Sequence, residues 1–77
     1  QLPRDGSANL VDIRTPEEYQ EGNVPGFQNI PLDELRQRLG EIDKDKPVYL
    51  ICQSGLRSYL ACRILQQLGY TCSHLAG

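Results

Sequence analysis

Short apolar runs alternate with charged stretches along the chain, and turn or capping residues separate them. One apolar run covers residues 8–13 (ANLVDI), and another covers 48–51 (VYLI) and ends at Cys52. Both have the length of a strand, and the uninterrupted second run is typical of a central parallel strand buried on both faces. Residues 27–30 and 71–75 predict two further short strands.

Three helical segments separate these strands. Thr15, a proline after it and Glu18 three residues on form a capping-box pattern, which predicts a short helix ended by a left-handed Gly22. Apolar residues at spacings of three and four predict an amphipathic α-helix over 32–39, closed by Gly40. The third helix follows Cys52 and ends at Gly69. Its predicted apolar face consists of Leu60, Ala61, Ile64, Leu65 and Leu68.

The order β-α-β-α-β-α-β predicts an α/β fold, a mainly parallel sheet with helices on both faces. Ligands of such sheets bind beyond the carboxyl ends of the strands, where Cys52 lies. With 77 residues, the chain has room for a single domain over 1–77. Its small size predicts either marginal stability or support from a neighbouring domain, so we expect a fragment of a longer chain.

Composition argues against several classes of function. Eight Lys and Arg and ten Asp and Glu are interspersed and give a net charge of −2, so neither nucleic acid nor a membrane is an expected partner. There is no long apolar window or signal-peptide pattern, and we expect a cytoplasmic location. Three cysteines without a Cys-x-x-Cys pair, and His74 as the one histidine, disfavour a disulfide framework and a metal site.

The loop after the 48–51 strand carries the candidate chemistry, because it reads CQSGLR over residues 52–57. Loop N–H groups and the N-terminus of the next helix can form an anion site, which lowers the pKa of a cysteine from about 8.5 to roughly 3.5–7.5. Gly55 is expected to leave space for the bound anion, and the planar fork of Arg57 suits an oxyanion. The alternative is that the loop has no catalytic role, so that Cys52 only ends a core strand and Arg57 only begins a surface helix.

Two motifs resemble those of the rhodanese homology domain. The active-site loop of that family typically reads Cys-Arg-Ser-Gly-x-Arg-Ser, and residues 52–58 read CQSGLRS. A second signature, Asp-(Val/Ile)-Arg, then Glu-(Tyr/Phe), then Gly-His-Ile-x-Gly-Ala-x-Asn-Ile-Pro, is matched by DIR at 12–14, EY at 18–19 and GNVPGFQNIP at 22–31. The matches extend over about residues 10–77.

The resemblance implies a rhodanese-like fold, truncated at both ends, and a sulfurtransferase in which Cys52 carries sulfur as a persulfide. The anion-binding residues would be those of the loop: Gln53, Ser54, Gly55, Leu56 and Arg57. Small sulfur donors and thiol acceptors, or a partner protein, would be the reactants. Non-catalytic rhodanese-like binding modules usually lack the loop cysteine, and related cysteine phosphatases have a loop one residue longer.

The same loop resembles the rhodanese domains fused behind coenzyme A disulfide or persulfide reductases. The resemblance implies a fused or associated flavoprotein as a further partner; FAD, NADH and coenzyme A would belong to that reductase, and no cofactor is expected in this domain.

Several residues depart from the family pattern or remain outside it. Gln53 stands where the family has arginine, which removes a positive charge and favours the persulfide of a small thiol over thiosulfate as donor. Phe27 replaces a common alanine. Cys62 lies about 130° from the centre of the apolar face, so we expect it to be exposed or at a helix edge. Cys72 is expected to be buried, and Arg14 to pair with Glu17 or Glu18.

Overall fold

The computed structural model describes residues 3, 5–53 and 55–75, which contain one parallel four-stranded sheet. Its strands are β1 (Asn9–Asp12), β2 (Gln28–Asn29), β3 (Val48–Ile51) and β4 (Cys72–Leu75). Their spatial order is β2-β1-β3-β4. The predicted α/β architecture with a parallel sheet is confirmed, and each strand lies within the run that predicted it.

The two central strands are β1 and β3, and the connections that follow them run in opposite directions along the sheet. From β1 the chain passes to the edge strand β2, and from β3 it passes to the opposite edge strand β4. Because such crossovers are right-handed, this reversal places α1 (Pro16–Glu21) and α2 (Leu56–Gln67) on opposite faces of the sheet. The carboxyl ends of β1 and β3 therefore flank a crevice of the kind in which open α/β sheets bind ligands.

The capping box of α1 is present as predicted. The Glu18 amide donates to Thr15 Oγ1 at 3.2 Å, and the Thr15 amide donates to Glu18 Oε1 at 2.9 Å. Gly22 ends the helix, but its φ of 170° is extended and not left-handed, which corrects the prediction. The end of α1 is instead held by Arg14, whose Nη2 donates to the Gly22 carbonyl at 2.7 Å.

The segment Leu32–Glu41 is a 3₁₀ helix, not the predicted α-helix, and it passes Gly40. A 3₁₀ helix has three residues per turn, which suits the spacing between Leu32 and the fully buried Leu35. At Arg38 the backbone leaves helical geometry, with φ −114° and ψ 22°. This kink lets Leu39 turn back toward the core, against which it packs.

The buried face of α2 is rotated from the predicted one. Ser58, Ala61, Cys62 and Leu65 are buried, whereas Leu60 and Leu68 are 44% and 43% exposed. Small side chains at 58, 61 and 62 let α2 lie close to β3 and β4, so the bulkier leucines move to its flanks. Cys62 is thus in the core, contrary to the expectation that it is exposed or at a helix edge.

No helix among the described residues is long and apolar enough to span a bilayer.

The rotated face of α2 can be tested by two leucine truncations. Leu65→Ala removes a fully buried side chain and should lower the free energy of unfolding by about 2–5 kcal/mol. Leu68→Ala, the matched control, should cost less than about 1 kcal/mol because its side chain is already half in solvent. Urea denaturation of both variants measures the difference, and equal losses would contradict this packing.

Candidate active site

Cys52 follows the last residue of β3 and lies at the carboxyl edge of the sheet, beside the crevice between β1 and β3. Its side chain is buried, with 3% of the residue exposed. Two backbone amides donate to Cys52 Sγ, that of Gly55 at 3.0 Å and that of Ser58 at 3.2 Å. The sulfur is therefore held between the end of a strand and the first turn of α2.

This arrangement favours an ionised sulfur. Hydrogen bonds from backbone N–H groups stabilise a thiolate more than a thiol, and the N-terminus of a helix adds a partial positive charge. Both donors belong to the start of α2, so the helix dipole and the hydrogen bonds act on the same atom. The site can therefore present Cys52 as a nucleophile without a general base.

Gly55 has a conformational role. Its φ of +79° lies in the left-handed region, where a side chain is strained, but a Cβ added there would meet no atom within 4 Å. The expectation that this glycine leaves space for a bound anion stays a prediction. The left-handed turn directs the Gly55 amide toward Cys52 Sγ and lets α2 begin at the next residue.

Arg57 forms an ion pair with Glu18. Its Nη1 and Nη2 donate to the two carboxylate oxygens at 2.8 and 3.0 Å, and both side chains are partly buried. The hydrogen-bonded guanidinium lowers the pKa of Glu18 to about 2, and the carboxylate raises the pKa of Arg57. This pair joins α1 to the first turn of α2 across the crevice.

A second ion pair lies at the end of β1. The fully buried Asp12 carboxylate accepts from Arg14 Nε at 2.9 Å and from Arg14 Nη2 at 2.8 Å. The hydrogen bonds to Asp12 raise the pKa of Arg14. Arg14 therefore pairs with Asp12, and not with Glu17 or Glu18 as the sequence had predicted. A buried carboxylate that ends a strand needs a cation close to it.

An open pocket of about 750 Å³ adjoins Cys52. Of the predicted anion-binding residues, Gln53 lines the pocket together with Cys52. Leu56 is not one of its lining residues and is 63% exposed to solvent. Ser54 is outside the described residues. The remaining lining residues are the charged Arg14, Glu18 and Glu21, the apolar Val24, Phe27, Ile51 and Leu75, and the loop residues Gly22 and Asn23.

Sequence reasoning missed the contribution of two residues. From the sequence, Ser58 is only part of the loop motif, yet its amide donates to Cys52 Sγ. Its fully buried hydroxyl has no hydrogen-bond partner in the described part of the chain. For Glu18, the sequence predicted a helix cap and, as one alternative, a pairing with Arg14, but not a contact with Arg57. The Glu-Tyr pair of the second signature was the signal that could have pointed to Glu18, but the contact with Arg57 joins residues 39 positions apart.

The other two cysteines lie away from this pocket. Cys72 is buried as expected, and burial raises the pKa of its thiol, with a further contribution from neighbouring Cys62. Gln66 Nε2 donates to Cys62 Sγ at 3.5 Å and to the Cys72 carbonyl at 3.1 Å. These contacts pack α2 on β4. No group of three potential metal ligands occurs among the described residues.

Comparison with known proteins places this geometry in one family. The model of the Rhodanese-like domain family matches residues 1–77. Over 61 residues the chain is 48% identical to a protein named Sulfurtransferase from Allochromatium vinosum, covering 79% of this chain and 57% of that protein. Over 78 residues it is 38% identical to Thiosulfate sulfurtransferase PspE of Escherichia coli, covering 99% of this chain and 75% of that protein.

Two solved structures have the same fold within much longer chains. The reduced CoADR-RHD of Bacillus anthracis is 44% identical, with a TM-score of 0.87, and the match covers 95% of this chain and 13% of that chain. A NAD-dependent persulfide reductase from A. fulgidus is 37% identical, with a TM-score of 0.78, covering 94% of this chain and 13% of that chain. The chain thus spans little more than half of the Allochromatium protein and a small part of these two.

The ion pair between Arg57 and Glu18 predicts a specific loss of stability in acid. The pKa of Glu18 falls from its usual 4.5 to about 2 in the folded protein, so the pair stabilises the fold fully above pH 4.5 and is lost as the pH falls toward 2. Thermal midpoints of wild type and Glu18→Gln should therefore differ near neutral pH and converge in acid. Glu17→Gln, on the exposed side of α1, serves as control, and a gap that is constant with pH would contradict this assignment.

Proposed function

Because the chain belongs to the rhodanese-like domain family, we propose that it transfers sulfane sulfur through a persulfide on Cys52. The observation that carries this proposal is the pair of N–H groups, from Gly55 and Ser58, that bind Cys52 Sγ at the start of α2. Relatives named sulfurtransferase support sulfur transfer as the general activity.

The proposed reaction has two displacement steps and no net oxidation. The Cys52 thiolate attacks the outer sulfur of a persulfide donor, R–S–SH; a new S–S bond forms, the donor S–S bond breaks, and R–S⁻ leaves with the electron pair. A thiolate acceptor then attacks the same outer sulfur, and the Cys52 thiolate leaves. The Gly55 and Ser58 amides stabilise the negative sulfur before the first step and after the second.

Cys52 is suited to both roles in this cycle. A sulfur that is stabilised as an anion is a good leaving group, and the same anion is the attacking species of the first step. The open pocket on the Gln53 side gives donor and acceptor access to it in turn. The partner would be a small thiol or a protein thiol.

A flavoprotein reductase is the protein partner that we favour. In the solved chains of CoADR-RHD and of the NAD-dependent persulfide reductase, the region similar to this chain makes up 13% of the whole. In such an arrangement, Cys52 would exchange sulfur with a cysteine of the reductase. FAD, NADH and coenzyme A would then bind to the reductase, and no cofactor is needed for the exchange at Cys52.

The proposed function can be tested by the mass of the intact protein. After incubation with glutathione persulfide or thiosulfate, wild type should gain one sulfur atom, and cyanide should remove it. Cys52→Ser should gain none, whereas Cys62→Ala, which alters a thiol away from the pocket, should still be modified. A folded wild-type protein that gains no sulfur would favour the alternative function, a non-catalytic binding module.

A further inference from the structure

Arg57 is the cation of the active-site loop, but its charge is already matched. Both of its Nη atoms donate to the Glu18 carboxylate, at 2.8 and 3.0 Å. The charge of Cys52 also contributes to the raised pKa of Arg57, so the guanidinium is within electrostatic reach of the nucleophile. A carboxylate thus shares this cation with any anion that approaches Cys52.

The charge balance of the pocket is unfavourable for a compact dianion. Among the described residues of the pocket and their ion-pair partners, the cations Arg14 and Arg57 are paired with Asp12 and Glu18, respectively. Glu21 adds a further carboxylate to the lining. The ionised Cys52 would make the site more negative still, so thiosulfate, which carries two charges on a small body, meets net repulsion.

The apolar residues of the lining, which we call the apolar wall, have a different chemistry from its charged residues. Val24, Phe27, Ile51 and Leu75 line the pocket together with Cys52. Val24 is 38% exposed, whereas Phe27 is buried. A donor with a carbon body next to its sulfur can bury apolar surface there, and thiosulfate has no such body.

We propose that Glu18 is a specificity-determining residue that makes the site select organic persulfides over thiosulfate, by occupying the guanidinium fork of Arg57. This inference rests on the proposed function and deepens it, because it names the class of donor. The carbon body of the donor packs on the wall that includes Val24, and its outer sulfur reaches Cys52.

The first test compares Glu18→Gln with wild type on two donors, thiosulfate and the persulfide of 2-mercaptoethanol, with cyanide as acceptor. The substitution removes the competing charge, so kcat/KM for thiosulfate should rise about tenfold. The gain for the persulfide should be less than about twofold, because the persulfide reacts as the neutral R–S–SH and Coulomb energy scales with the charge of the ligand. An unchanged or reduced preference for thiosulfate would overturn the proposal and would mean that Glu18 positions Arg57 for binding anions.

Two controls separate charge from folding. Glu17→Gln removes the same charge from an exposed position on α1 and should leave the donor preference unchanged. Thr15→Ala removes the hydroxyl that caps α1 and donates to Glu18 Oε1 at 3.2 Å. It keeps the charge of the Glu18 carboxylate, so it should also keep the wild-type preference. If Thr15→Ala reproduced the effect of Glu18→Gln, the cause would be a loosened helix and the proposal would fail.

The apolar wall is tested by Val24→Ser. This change should raise KM for the organic persulfide by about three- to tenfold, through lost apolar contact, and leave kcat/KM for thiosulfate unchanged. Equal effects on both donors would contradict packing of a carbon body against this wall. Wild-type turnover of the organic persulfide reports separately on the proposed function, because its absence would refute sulfur transfer itself and not only the role of Glu18.

Discussion

The two amide hydrogen bonds to Cys52 Sγ determine how β3 passes into α2, and much of the structure depends on them. To place both N–H groups on one sulfur, the chain must reverse within a few residues, which requires the left-handed Gly55. The first turn of α2 is then fixed relative to the sheet. This constraint, together with the small side chains at Ala61 and Cys62, explains why the face of α2 that is buried is not the one with most leucines.

The carboxyl edge of the sheet is organised by two ion pairs of different character. Asp12 is fully buried and would be costly as a charge without Arg14, so that pair holds the end of β1 in place. Glu18 and Arg57 are partly exposed and join two helices across the crevice. In our proposal the second pair influences what can approach Cys52, whereas the first holds the end of β1 beside the pocket.

The elements with strong local signals were predicted well from the sequence. The VYLI run predicted β3 with its observed bounds. The predicted burial on both faces is only partly correct, because Val48 and Leu50 are fully buried whereas Tyr49 and Ile51 are half-buried. The Thr15 capping box was also correct, since it is made within four residues. Local patterns failed at Leu32–Glu41, where leucine spacings of three and four did not distinguish an α-helix from a kinked 3₁₀ helix.

By itself, the sequence determined the order of the elements, the parallel α/β class, the family and the position of Cys52 at a strand end, because each follows from short-range patterns and motifs. Only the tertiary structure decided which groups surround that sulfur. The pairing of Arg57 with Glu18, the burial of Cys62 and the wall beside Cys52 all join residues far apart in the chain. Such contacts depend on how the helices cross the sheet, and no local pattern of residues specifies that geometry.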